Sequence, residues 1–208
     1  MNEASNDLLA LIEYATTSGT AYSGSEFPAG YHSLQINGEI VRGQRDCALR
    51  HVSLGIEWAD MVVLDLGCNQ GGMLFEIADA IKYGYGIDRD SRMINVCHKL
   101  REMRRLSHVN FFVADLEREL SQVDSLLRHE VDVCMLLSMC NWITNWAEVM
   151  SYCRSLAPTL VLETNGDPAS QAAQQAHARR IFQRVRVAST ESLDDQFERQ
   201  RTCLVCTA

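Results

Sequence analysis

The sequence predicts an α/β fold: a mostly parallel seven-stranded sheet with helices on both faces and an N-terminal helix and hairpin cap. Three observations predict it. From Met61 onward, short apolar runs alternate with stretches whose apolar residues recur at helical spacing. The run VVLDL, Val62 to Leu66, passes into the turn GCNQGG and then into a helical pattern, as a buried parallel strand does when it enters its crossover helix. Two strand-like runs close the chain after the last helix, and repeated β-α units of this kind build parallel sheets.

Taken in order, Leu8, Leu11, Ile12 and Ala15 fall at helix spacing after the cap candidates Ser5, Asn6 and Asp7, and Gly19 is a stop signal. Thr16 to Ser25 is expected as a mobile polar loop. In YHSLQINGEIVRG, Tyr31 to Gly43, the pair Asn37-Gly38 separates two short strand-like runs, a strong hairpin signal. Gln44 to Trp58 reads as a helix packing through Ala48, Leu49, Val52 and Ile56. The first core strand is Met61 to Leu66, followed by a helix carrying Leu74, Ile77, Ala78 and Ile81. Tyr83 to Asp88 is the second strand, and Met93, Cys97, Leu100 and Met103 point inward from the next helix. Val109 to Val113, Val131 to Leu137 and Thr159 to Glu163 are further strands. Asn145 with Glu148 reads as a capping box, and Asp167 with Pro168 as the start of another helix. Val185 to Ala188 and Thr202 to Thr207 close the sheet. Residues 1–58 are expected to form the cap and 59–208 the core, within one domain.

Composition narrows the function classes. Apolar residues are 47% of 208 but come in short runs, so no membrane span or cleavable signal is expected and the location reads as cytoplasmic. The eight cysteines are spread through the chain, several inside elements, and read as buried thiols; Cys203 and Cys206 lie in one strand and face opposite sides of it. No metal site is expected. A net charge of −8 repels nucleic acid, and the one basic cluster, Arg89, Arg92, Lys99, Arg101, Arg104 and Arg105, reads as a solvated helix face.

In an open sheet of this kind, ligands bind beyond the carboxyl ends of the strands. After the first strand stand Asp65, Gly67, Cys68, Asn69, Gln70, Gly71 and Gly72. Asp88 ends the second strand about 20 positions on, where a carboxylate accepts both hydroxyls of a ribose. Asp115 and Leu116 follow the third, suited to an adenine: the acid takes the exocyclic amine and the leucine packs on the ring. A nicotinamide dinucleotide wants a second glycine where Asn69 stands. An adenosine ligand without a pyrophosphate has weaker need of it, and S-adenosylmethionine is such a ligand.

These residues resemble those of the class I S-adenosylmethionine-dependent methyltransferases, with a Rossmann-like core. DLGCNQGG resembles the first motif, GIDRD the acidic second motif and VADLE the adenine motif. More narrowly, DLGCN with the preceding YHSLQINGEIVRGQRD resembles the branch of tRNA wobble-uridine methyl and carboxymethyl transferases and their small-molecule relatives. The resemblance implies that Asp65, Gly67, Asn69 and Gly71 line the methionine part of the cofactor, with Ser138 also beside the cofactor. It assigns Asp88 to the ribose and Asp115 with Leu116 to the adenine. Arg45 is a clamp candidate for the cofactor carboxylate, which a guanidinium can take bidentately; its alternative is a surface charge at a helix start. The Asn-Pro-Pro-Tyr-like tetrapeptide of many nucleic-acid and protein N-methyltransferases is absent: the chain reads SMCNWI there.

Methyl transfer is a displacement at a sulfonium carbon that wants an aligned nucleophile and little water. Tyr22, Tyr31, Cys140, Asn141, Trp142 and Asn165 are the candidate substrate pocket. His32 is the candidate general base, and Glu163 the candidate catalytic carboxylate that orients an amine. The reading is a methyltransferase acting on a small molecule, possible in specialised biosynthesis. The alternatives are a tRNA-modifying methyl or carboxymethyl transferase and a non-catalytic S-adenosylmethionine-binding protein. Oligomeric state and an ordinary or carboxylated cofactor stay open.

Overall fold

The computed structural model describes residues 3–16, 27–192 and 194–208. Helix α1 (Glu3–Thr16) starts earlier than expected, so Ser5, Asn6 and Asp7 fall inside it. Its buried stripe is Leu8, Ile12 and Ala15, laid against α4 (Ser91–Met103). Strands β1 (Leu34–Ile36) and β2 (Glu39–Val41) pair as a hairpin, with Asn37 and Gly38 at φ 52° and 83°. Both angles are positive, as the favoured two-residue turn requires.

Helix α2 (Cys47–Leu54) is shorter than the expected Gln44 to Trp58 and presents a different face to the core. The Asp46 carboxylate accepts from Leu49 N–H at 3.1 Å and Gly55 ends the helix at φ 60°. Leu49 and Val52 are exposed, whereas Cys47, Arg50, His51 and Leu54 are buried. Arg50 decides the orientation: its guanidinium lies 2.6 Å from the Glu163 carboxylate. A buried charge must reach its partner, and this outweighs the burial of two aliphatic side chains.

The main sheet runs β5-β4-β3-β6-β7-β9-β8. Strands β3 (Val62–Leu66), β4 (Tyr83–Asp88), β5 (Val109–Val113), β6 (Val133–Leu137) and β7 (Thr159–Glu163) are parallel. Strand β9 (Cys203–Thr207) is antiparallel to both β7 and β8 (Arg184–Ser189). The order of the strands reverses between β3 and β6, and the crevice at that switch point faces the glycine turn.

Two cores flank the sheet. Val63, Met135 and Val161 face a layer that includes α1, α2, α3 (Gly72–Ile77) and α4. Val62, Leu64, Leu136 and Leu160 face α5 (Trp146–Leu156) and α6 (Pro168–Ile181). Burying each such aliphatic side chain contributes about 1.5–3 kcal/mol. Cys203 belongs to the first core and Cys206 to the second, the opposite facing that strand geometry demands. Helix α3 is shorter than expected, although Ala78 and Ile81 still bury in the turn beyond it.

Asp167 caps α6 by accepting from Ser170 N–H at 2.7 Å, with Pro168 in first position. The capping box expected at α5 does not form, and the Asn145 amide nitrogen donates to the Leu116 carbonyl at 3.0 Å. That bond ties the start of α5 to the loop after β5. Among the described residues, no helix is long and apolar enough to cross a membrane.

Candidate functional site

The turn after β3 is built to hold backbone close to a ligand. Gly67, Asn69 and Gly71 have φ of 82°, 49° and 72°. Asn69 tolerates this region because its side-chain oxygen accepts from Gln70 N–H at 2.8 Å, a local bond few other residues can make. A methyl on Gly71 would stand 2.7 Å from the Phe111 ring, and one on Gly67 would stand 2.2 Å from Met139 Sδ. Only glycine fits at either position.

The turn opens into a cleft of about 360 Å³ lined by residues from β3, β4, β5 and β6 ends. Gly67, Asn69, Asp88, Asp115, Leu116 and Trp142 all line it, so six residues singled out from sequence converge on one site. The Asp88 carboxylate accepts from Asn69 N–H at 2.8 Å and from Asp90 N–H at 2.9 Å, one per oxygen. Each oxygen keeps a lone pair for a hydroxyl. Asp115 Oδ1 accepts from Glu117 N–H at 3.0 Å, and Leu116 is buried against the same wall. Met139, which follows the fourth predicted core strand and is a pocket candidate from sequence, lines it too; Ile87, Arg89, Asp90, Met93, Ala114 and Ile143 complete the lining and carry no such signal. Carboxylates at two strand ends, apolar slots between them and bare backbone at the turn suit a nucleoside with an amino-acid tail.

Asp65 lies beneath the turn, 2% exposed. Burial pushes its carboxyl up to about 7, with Asp88 adding to the rise and Arg50 opposing it. Between its ordinary value and about 7 the folded chain holds a proton that the unfolded chain has released. Stability therefore falls as pH rises through that window. Asp65→Asn is expected to raise the thermal midpoint at pH 8 by several degrees and to leave it nearly unchanged at pH 4, as read by parallel calorimetric scans.

Arg45 and Glu163 are not at the cleft wall. Arg45 is fully buried. Its Nε donates to Asp194 at 2.6 Å, its Nη2 to Glu163 at 2.7 Å and its Nη1 lies 3.4 Å from Asp195. The expected clamp thus spends its donors on the chain's own carboxylates. Glu163 also meets Arg50 at 2.6 Å and Arg201 at 3.7 Å, and accepts from Ser192 Oγ at 3.2 Å. Burial alone would raise its pKa, but Arg50 and Arg45 beside it bring it down to about 2. Its charge is already balanced by these guanidiniums, so it is a structural centre and not the carboxylate that orients an amine substrate. Arg50, Arg201, Asp194 and Asp195 carried no signal in the sequence, since nothing local marks a charge that folds inward.

His32 is also corrected. Its Nδ1 accepts from Gly72 N–H at 3.2 Å, so it caps the start of α3 and the remaining proton sits on Nε2. Burial lowers its pKa to about 3, with Arg50 and Arg45 adding to the effect. The lone pair that general-base catalysis needs is already engaged. Tyr31 packs beside it and is buried, its hydroxyl 3.4 Å from Arg45 Nη1. Cys140, expected in the substrate pocket, points into the core among Val149, Met150 and Cys153 instead, and burial pushes its thiol up to about 12. Asn141 is exposed, and Trp142 is 39% exposed at the cleft. Asn165 is buried and joins the β6 and β7 loops, donating to Ser138 O at 2.6 Å and accepting from Asn141 N–H at 2.8 Å. Ser138 adopts φ 59° beside the cleft-lining Met139, and its hydroxyl accepts from Arg201 at 2.8 Å. Such a backbone conformation in a non-glycine residue is held by its surroundings and is typical of functional sites. Tyr22 lies outside the described residues.

A family model described as a methyltransferase domain matches residues 58–198. No curated protein matches the chain. Among solved structures, the N-terminal domain of EvdMO1 with S-adenosylhomocysteine bound is 10% identical, with a TM-score of 0.68 over 100% of this chain and 98% of that one. A methyltransferase from Aquifex aeolicus, described as dependent on S-adenosylmethionine, is 14% identical with a TM-score of 0.55, covering 79% of this chain and 91% of that one. WbdD, solved with a kinase inhibitor, is 22% identical with a TM-score of 0.64, covering 79% of this chain. This chain spans 42% of that WbdD structure and 44% of full EvdMO1.

Proposed function

This chain belongs to the methyltransferase domain family, and we propose that it methylates a small molecule, with S-adenosylmethionine as the donor. The cofactor supplies an electrophilic methyl on a sulfonium centre. The family is shown by the match over residues 58–198, and a structural neighbour crystallised with S-adenosylhomocysteine supports the choice of cofactor. The class of acceptor is our reading.

The observation that carries it concerns the basic cluster on and beside α4. Arg92 is paired with Asp90 at 2.9 Å, Arg101 donates to Asn110 at 3.0 Å and Arg104 donates to the Phe75 carbonyl at 2.7 Å. Three of the six cations in the cluster are thus engaged by the chain itself, on a molecule of net charge −8. A nucleic-acid surface needs free cations to displace counterions from phosphates. A cleft walled by Trp142, Met139 and Ile143 instead fits a compact acceptor in a dry setting.

Within that cleft the chain contributes position more than proton chemistry. Asp88 and Asp115 fix the nucleoside, the turn at Gly67 and Asn69 takes the amino-acid tail, and Trp142 shields the transferred group from water. His32 and Glu163 hold the elements around the cleft in place, and the acceptor brings its own lone pair.

The test is transfer of a labelled methyl from S-adenosylmethionine, with phenolic, carboxylic and amine small molecules in one arm and total tRNA in the other. Label in a low-mass product, with no tRNA binding that weakens steeply as salt rises, is the expected result. Label in tRNA would overturn the small-molecule reading and put the chain in the wobble-uridine branch.

A further inference from the structure

The turn that takes the cofactor is bonded to the N-terminal cap through one side chain. Gln70 is fully buried. Its Oε1 accepts from Tyr31 N–H at 2.9 Å and from His32 N–H at 3.1 Å, and its Nε2 donates to the Ala29 carbonyl at 2.8 Å. A single amide thereby satisfies three backbone groups of a segment about forty residues away in sequence. Two positions on, Gly72 N–H donates to the His32 ring. The backbone of Gln70 is itself fixed by the Asn69 side chain, and Asn69 N–H is held by Asp88. An unbroken series of hydrogen bonds runs from the carboxylate assigned to the ribose, through the turn, to residues 29–32.

That segment does not end there. Arg45 N–H donates to Tyr31 O at 2.8 Å, Ser33 N–H to Arg45 O at 2.8 Å, and Asp46 N–H to Asp194 O at 2.9 Å. Residues 29–33, 42–46 and 194–196 therefore form one backbone-paired patch that carries Tyr31 and the buried charges around Glu163. Its connection to the turn runs through Gln70 and the His32 cap.

We propose that Gln70 is a positioning residue for methyl transfer: it couples cofactor occupancy of the turn to the ordering of residues 29–32. The proposal rests on the reading that the turn holds the amino-acid part of S-adenosylmethionine. A ligand that rigidifies the turn fixes the amide, and the amide fixes three backbone groups at once, so part of the ordering of the cap is completed when the cofactor binds. By reciprocity, loosening residues 29–32 weakens the cofactor.

Hydrogen exchange of the full chain, with and without S-adenosylhomocysteine, tests this. In the wild type, the ligand is expected to slow exchange at least tenfold in peptides covering 67–72 and also in those covering 29–33. Gln70→Met keeps the side-chain volume and removes the three bonds. It is expected to retain protection at 67–72 and lose it at 29–33, with ligand affinity lowered roughly tenfold. Gln70→Glu supplies a readout that a merely structural role would not move: a protonated carboxyl offers one acceptor and one donor, as the amide does, and an ionised one only acceptors. Ligand-linked protection at 29–33, taken as a ligand-to-free ratio, should return in this variant between pH 8 and pH 5.5 by more than any change in the wild type, since Asp65 beneath the turn titrates in both proteins. Wild-type protection confined to 67–72, or protection at 29–33 that survives in Gln70→Met, overturns the coupling alone. Failure of the wild type to bind S-adenosylhomocysteine overturns the cofactor reading of the turn, and the coupling with it.

Discussion

Glu163→Gln is expected to destabilise the chain by about 3–5 kcal/mol, because it removes one partner from a buried network and leaves the others charged. Three guanidiniums converge on this carboxylate: Arg45 at 2.7 Å, Arg50 at 2.6 Å and Arg201 at 3.7 Å. Asp194 and Asp195 neutralise Arg45 but do not replace Glu163 for Arg50. At about 2–4 °C per kcal/mol for a domain of this size, the thermal midpoint should drop by roughly 10 °C. A pH series separates this from simple loss of packing. The folded pKa of Glu163 is depressed to about 2, so its stabilisation is complete above the ordinary carboxylate value and is lost as pH falls towards 2. The gap between wild type and variant should therefore be widest at neutral pH and close steadily below about pH 4.5. A gap that is constant down to pH 3 would falsify the electrostatic account.

The same network shows where sequence reasoning stops. The glycine turn, the acids at the ends of β4 and β5, and the apolar runs that become the core were readable because each is local: period, spacing and turn chemistry operate within a few residues. Asp88, Asp115 and Leu116 meet at one cleft because parallel register places successive strand ends side by side. Helix α2 was misread for the opposite reason. Leu49 and Val52 make a plausible apolar stripe, yet the face that buries carries Arg50, whose partner is more than a hundred residues away. The side-chain chemistry of His32 allows a general base and that of Arg45 a carboxylate clamp, and only the fold reveals that Gly72 N–H and three carboxylates have already claimed them. Gln70 lay in plain view within the first motif. Its spacing announces a turn but not which distant backbone its amide will reach.

Asp88→Ala is expected to weaken S-adenosylhomocysteine binding at least a hundredfold, measured calorimetrically. Two contributions act together. On the proposed reading the carboxylate accepts two ribose hydroxyls, and a hydrogen bond to a charged acceptor is worth about 1.5–3 kcal/mol. Losing both removes about 3–6 kcal/mol, and each 1.4 kcal/mol is about a factor of ten. The carboxylate also holds Asn69 N–H at 2.8 Å and Asp90 N–H at 2.9 Å, so its removal frees the turn on one side and the start of α4 on the other. Asp88→Asn distinguishes the two. The amide retains one acceptor oxygen but turns a donor towards one of these N–H groups, so it should disturb the turn as well as the ribose. If only the ribose mattered, adenosine and S-adenosylhomocysteine would lose affinity by the same factor in both variants. If the turn matters too, S-adenosylhomocysteine loses more than adenosine, because only it carries the amino-acid tail that the proposed reading places against Gly67 and Asn69. The second outcome is the one the geometry favours, since Asp88 supports both ends of the ligand through a single carboxylate.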